Sequence, residues 1–167
     1  MAAQKKKKDK AKKKGDAGQG KNIAMNRKAT HRYEITEKIE CGIVLKGSEV
    51  KSLRDGKLSL DEAYVRIRNE ALWLVGADIP EYKQATIWNH DPRRPRKLLV
   101  HTQQYNKLAV RAFEKGLTLV PLQVYFNVRG IVKVMVGVGK GKKLHDKRDS
   151  LKKADMKRQI SRAMRRK

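Results

Sequence analysis

From Leu117 to Val138 the apolar residues alternate on either side of one polar break. Leu117, Leu119, Leu122, Val124 and Phe126 precede Asn127-Val128-Arg129-Gly130, and Val132, Val134, Val136 and Val138 follow it. A period near two puts one face of each segment into a core, and a break this short returns the chain antiparallel. The segment is therefore a long hairpin, and it commits the chain to a strand-rich fold. The same period recurs at Tyr33 and Ile35, then at Ile39, Cys41, Ile43 and Leu45. Tyr64-Val65-Arg66-Ile67-Arg68 and Ala71-Leu72-Trp73-Leu74-Val75 flank Asn69-Glu70, a second hairpin although its turn lacks the favoured Asn-Gly pair.

Helical signals are short. Ser48 is placed to cap a helix over the residues that follow, and Gly56 to end it in a left-handed conformation. The prolines of Asn89-His90-Asp91-Pro92-Arg93-Arg94-Pro95-Arg96 mark a loop, and Lys97-Leu98-Leu99-Val100 reads as the start of a helical region. Between Thr102 and Lys115, Tyr105, Leu108, Ala109, Ala112 and Phe113 recur at three and four residues, with Gly116 as a stop. The expected fold is mainly β with short helices: an oligonucleotide-binding-type β-barrel with accessory helices and a basic C-terminal tail. A ferredoxin-like α+β sandwich is the alternative, because periodicity fixes elements and not their pairing.

Charge divides the chain. The net formal charge is +25, with 42 Lys and Arg against 17 Asp and Glu. Residues 1–28 hold 11 basic and 2 acidic side chains, and residues 137–167 hold 13 and 3. An ordinary charged domain thus lies between two polycationic arms, and polycations bind polyanions, nucleic acid first among them. Residues 1–22 carry no apolar periodicity and are expected to be a disordered Lys-rich extension. Residues 23–139 are the expected barrel and 140–167 the expected tail. In the tail Met156, Ile160, Ala163 and Met164 share one side of a helical wheel. So short a helix is marginal alone in water, and the tail is expected to be disordered when free and helical only in a polyanionic groove. The single Cys41 rules out an internal disulfide and suits a reducing compartment. No apolar run approaches a bilayer span, and the Lys-rich start lacks the apolar stretch of a secretory signal.

No enzymatic constellation is complete. Gly137-Val138-Gly139-Lys140-Gly141-Lys142-Lys143 lacks the spacing and the Ser or Thr of a phosphate-binding loop. His90-Asp91 and His145-Asp146 are adjacent pairs, which point apart on an extended chain, and no metal-ligand spacing supports them. No cofactor and no metal are expected. Glu40 admits two readings that spacing does not separate: a surface partner for a nearby cation, or a group that contacts RNA or positions a cation that does.

Several blocks stand together in a familiar order: Asn26-Arg27-Lys28-Ala29 with His31 and Tyr33, Gly47-Ser48-Glu49-Val50-Lys51-Ser52-Leu53-Arg54, Asp91-Pro92 before Arg96-Lys97-Leu98-Leu99, Leu117-Thr118-Leu119-Val120-Pro121-Leu122, and Gly141-Lys142-Lys143 before Asp146-Lys147-Arg148. From about Asn26 to Arg148 the chain resembles the SmpB family of SsrA-binding (tmRNA-binding) proteins. That resemblance implies a non-enzymatic RNA-binding adaptor of trans-translation, cytoplasmic in bacteria and ribosome-associated. It would bind the tRNA-like domain of tmRNA, travel with alanyl-tmRNA and elongation factor Tu, and stand in for the missing anticodon arm on stalled ribosomes. By the resemblance Asn26, His31, Glu40, Lys133, Lys140, Lys142 and Lys143 face tmRNA. His145, Asp146, Lys147, Arg148, Ile160, Ala163 and Met164 face the small-subunit decoding centre and the empty mRNA channel. The chain departs from the family at Cys41, where a small Ala is usual, at Arg32, where an acid often follows the His, and at Ala163, in the first of two apolar tail positions. The alternative is a general ribosome-associated RNA-binding protein.

Overall fold

A computed structural model describes residues 20–85, 89–113 and 116–142, together with Met156, Gln159 and Met164. Its strands are β1 (Asn22–Met25), β2 (Tyr33–Ile43), β3 (Tyr64–Arg68), β4 (Ala71–Val75), β5 (Arg96–Leu99), β6 (Leu117–Phe126) and β7 (Val132–Gly141). Its helices are α1 (Arg27–Arg32), α2 (Gly47–Arg54) and α3 (Thr102–Phe113). The expected mainly β fold with short helices is what forms.

The strands build one antiparallel sheet in the order β1-β6-β7-β2-β5-β4-β3. Its spine is the long hairpin: β6 and β7 pair from Leu117 opposite Lys140 to Phe126 opposite Val132. The hairpin turn is closed by the Asn127 amide on the Ile131 carbonyl at 2.8 Å and by the Ile131 amide on the Asn127 side chain at 2.8 Å. On its other edge β7 pairs with β2, from Tyr33 opposite Gly141 to Gly42 opposite Lys133. Register shifts at Ile35/Glu37 and at Pro121/Gln123 sharpen the twist of the strands on both sides of β7. Pro121 fits there because it has no amide hydrogen for a ladder bond. The sheet curls far enough to bring β3 against β6, the approach of edges that a barrel requires.

The inward face is apolar. Ile39, Cys41, Val65, Leu72, Leu74, Leu98, Val124, Val134, Val136 and Val138 form its centre, with Leu53 of α2 and Leu108 of α3 packed on it. A smaller cluster lies outside β6, β7 and β2, where Ala29 of α1 covers Val120 and Leu122 beside Tyr33, Ile35 and Met135. Gly137 makes that second layer possible: a Cβ there would stand 2.8 Å from Leu122 Cδ1 and 3.1 Å from Ile35 Cγ2. The Asn69-Glu70 turn does form, with both residues at positive φ (48° and 52°), the geometry of the turn type that suits strand twist. Gly56 has positive φ where a left-handed stop was expected, and Gly116, expected as a stop, has positive φ as well.

Two local expectations need correction. Lys97-Leu98-Leu99-Val100 does not open a helix: Arg96–Leu99 is β5, paired with β4 and β2. Arg96 and Leu98 point inward and Lys97 and Leu99 outward, so the buried face of this strand is half charged and hides its period. Ser48 does not cap α2. The cap residue is Lys46, whose amide is held by the Glu49 carboxylate at 2.6 Å, and Ser48 lies within the first turn. β1 and α1, which no periodicity announces, begin at Asn22, the last residue of the segment expected to be disordered. The position chosen for the end of the barrel, 139, falls inside β7, which continues to Gly141.

Candidate nucleic-acid interface

Asn26 organises the first part of the candidate interface without presenting itself to solvent. It is buried, its side-chain carbonyl accepts from the Ala29 amide at 2.9 Å, and its side-chain amide donates to the Leu60 carbonyl at 3.1 Å. The first bond caps α1 and the second ties it to the chain before β3. A helix of this length has little intrinsic stability, so these bonds and the burial of Ala29 are what place it.

The far end of α1 is exposed and basic, with His31 and Arg32 in its last turn. β7 arrives beside it. The Lys142 amide donates to the Arg32 carbonyl at 2.9 Å, and the Lys142 ammonium donates to the Thr30 carbonyl at 3.1 Å. A lysine on the terminal carbonyls of a helix complements its dipole as well as its unpaired acceptors. Lys140 stands two residues back on β7, exposed and opposite Glu34. His31, Lys140 and Lys142 are therefore gathered where the chain leaves the sheet.

Glu40 and Lys133 form a second group, seven residues further along β7 from Lys140, roughly 23 Å at strand rise. Their side chains are 3.3 Å apart and both are partly exposed. Tyr125 of β6, buried to its ring, donates its hydroxyl to the same carboxylate. The tyrosine hydrogen bond, with the Lys133 charge added, holds the Glu40 carboxyl below its ordinary range against the opposing effect of burial. Tyr125 itself is pushed up to about 12 by burial and by its bond to Glu40. Both readings left open for Glu40 place a cation beside it, and the pair fixes where the Lys133 ammonium sits. Sequence reasoning did not find Tyr125; its position one step out of phase between Val124 and Phe126 is the signal that sets it on the other face of β6.

His90 is not set up for acid–base chemistry. It is buried, its Nε2 lies 3.0 Å from the Ile79 carbonyl and its Nδ1 2.9 Å from the Ser48 hydroxyl. A carbonyl oxygen only accepts, so Nε2 carries hydrogen and both ring nitrogens are committed to the protein. Behind it lies a charged cluster that the motifs contained without revealing. Glu49 accepts from Arg94 at 2.6 and 2.8 Å and from Arg96 at 2.8 Å, and Arg96 also donates to the Ala77, Pro92 and Arg94 carbonyls. Burial opposes ionisation of Glu49, but the arginine and amide hydrogen bonds outweigh it and lower its pKa. These groups tie α2 to the proline-containing loop and to β5.

Lys143, His145, Asp146, Lys147, Arg148, Ile160 and Ala163 lie outside the described residues. Met164 is helical and exposed, as is Met156. Among the described residues no group of His, Cys, Asp or Glu is placed to hold a metal ion. No helix among them is long and apolar enough to cross a membrane.

A family model described as SmpB protein matches residues 23–166. The SsrA-binding protein of Rhodopirellula baltica is 62% identical over 145 residues, 87% of this chain and 82% of that one. The SsrA-binding protein of Nitrobacter hamburgensis is 51% identical over 145 residues, 87% and 92% of the two chains. A solved chain from "tmRNA-SmpB: a journey to the center of the bacterial ribosome" superposes with a TM-score of 0.62 at 47% identity, covering 72% of this chain and 85% of that one.

Proposed function

Since this chain belongs to the SmpB family, we propose that it is an RNA-binding adaptor of trans-translation, which binds the tRNA-like domain of tmRNA and delivers it to stalled ribosomes. The observation that carries this reading is the junction at the end of α1, where His31, Arg32, Lys140 and Lys142 present positive charge on a backbone fixed by Asn26 and by the bonds of Lys142. A folded RNA elbow is recognised by shape and phosphates, which needs cations held at set positions more than flexible ones. Lys133, steadied by Glu40, adds a second such position along the same strand.

Chemistry is not part of the role. Both ring nitrogens of His90 are spent, and the interface groups are donors and cations suited to binding. Residues 23–139, with Lys140, Lys142 and Lys143 at their end, form the recognition side in this reading, and the rest of the 140–167 arm, with His145, Asp146, Lys147, Arg148, Ile160, Ala163 and Met164, addresses the small-subunit decoding centre and mRNA channel. Intact mRNA in that channel would exclude the arm, which makes it a sensor by steric competition. Elongation factor Tu would join through the alanyl-charged RNA, and the complex would act at cytoplasmic ribosomes.

The test is a reconstituted translation reaction on a message that lacks a stop codon. The full chain should support tagging of the stalled product, and a chain ending at Lys142 should bind tmRNA but leave the product untagged. Equal tagging by both would remove the sensor role of the arm.

A further inference from the structure

The outer face of the β3–β4 hairpin has no task in the reading above. Period two along β3 turns Val65 and Ile67 toward the core and Tyr64, Arg66 and Arg68 outward. In the paired register Arg66 stands opposite Trp73 and Tyr64 opposite Val75, while Lys97 of β5 flanks Trp73 on its other side. An indole thus sits in the middle of a row between two cations. Its Nε1 donates to the Arg68 carbonyl at 3.1 Å, which fixes the ring on the hairpin. Tyr64, Arg66, Arg68, Trp73, Val75 and Pro95 line an open concavity of about 400 Å³.

The cations of this face differ from the other arginines near β5. Arg93, Arg94 and Arg96 are matched by Glu62, Asp78 or Glu49. No ion pair among the described residues engages Arg66, Arg68 or Lys97. Three cations with no ion pair among the described residues, a fixed indole and a Tyr64 that is 45% exposed are groups for which one repeating unit offers both partners. A nucleotide brings a flat base for the ring and a phosphate for the cation, and stacking accepts any base.

We propose that this face is a second RNA site, which takes a short unpaired stretch with bases on Trp73 and Tyr64 and phosphates on Arg66, Arg68 and Lys97. From Tyr64 to Arg68 it runs roughly 13 Å at strand rise, the scale of a short run of nucleotides. It borders the cleft under α1 at Tyr64, which lines both, but includes none of the groups at the α1 end.

The chain holds two tryptophans, so Trp88→Phe in the full-length protein leaves Trp73 as sole emitter. Titration with unstructured oligoadenylate at physiological salt should quench that emission saturably. The pair Arg66→Gln and Arg68→Gln, on exposed positions, should weaken this binding by about tenfold, the order expected for lost phosphate contacts beside a stacking ring. The same pair should change affinity for the folded tRNA-like domain by less than about twofold, because the two sites share no cation. Absence of saturable quenching would overturn the proposal, as would equal quenching by polyglutamate, which carries charge without bases. A parallel fall in affinity for the tRNA-like domain would show one interface where two are proposed.

Discussion

Glu49→Gln removes the one negative charge from a cluster that the interior cannot otherwise accommodate. The Glu49 and Arg96 side chains are fully buried and that of Arg94 is 23% exposed. The carboxylate takes hydrogen bonds from the Lys46 amide, from two nitrogens of Arg94 and from Arg96. An amide of the same shape keeps one acceptor oxygen but turns an NH2 group toward the Arg94 guanidinium in either orientation, leaving buried positive charge uncompensated. Breaking a buried pair on one side costs about 3–5 kcal/mol, which in a domain of this size lowers Tm by roughly 10–25 °C. Glu62→Gln is the internal control: Glu62 meets Arg93 at 3.5 Å with 76% of its side chain exposed, and its loss should cost under about 1 kcal/mol. Thermal and urea unfolding of the two variants measures both. The pH dependence has a sign. The folded pKa of Glu49 is lowered, so its contribution is complete above its unfolded value of about 4.3 and disappears as pH falls through the folded value. The gap between native protein and Glu49→Gln should be constant from pH 8 to about 5 and narrow below that. A gap no larger than that of Glu62→Gln, or one that does not narrow in acid, would refute the argument.

Tyr125→Phe deletes the donor that does most to keep Glu40 ionised, so the Glu40 carboxyl should titrate higher by NMR, with a stability loss of about 1 kcal/mol. Asn26→Ala should cost about 1–2 kcal/mol in urea unfolding by uncapping α1, and should weaken binding to the tRNA-like domain through the displacement of His31. Cys41 is buried and its thiol is pushed up to about 12, chiefly by burial, so a thiol reagent at pH 8 should label it only as fast as the barrel unfolds. Gly137→Ala should destabilise by about 1–3 kcal/mol on thermal melting, because its methyl must displace Leu122 and Ile35 from beneath α1.

Elements whose buried face is apolar throughout were legible before any coordinates. The β6–β7 hairpin, β2, the Asn69-Glu70 hairpin and α3 all have such faces. β5 was not, because a fully buried arginine occupies one of its inward positions and its partner Glu49 stands 47 residues earlier. α1 was illegible for a related reason: its stability comes from Leu60, Leu122 and Lys142, which are distant in sequence. The resemblance set Asn26 toward RNA, yet its side chain faces inward and positions its neighbours through Ala29 and Leu60. Glu40 and Lys133 were singled out separately, and only the register of β2 with β7 makes them a pair. Tyr125 lay outside every motif although its hydroxyl does most to lower the pKa of Glu40.

The most direct test is competition binding of the full chain and a chain ending at Lys142 to the tRNA-like domain of tmRNA, against an unrelated structured RNA at physiological salt. Lys142 is the proper terminus because its bonds hold the end of α1. The account predicts that both chains prefer the tRNA-like domain to the same degree, with the body as the recognition module and the arm left free for the ribosome. Loss of the preference in both chains at that salt would mean that only charge is being read, and would contradict it.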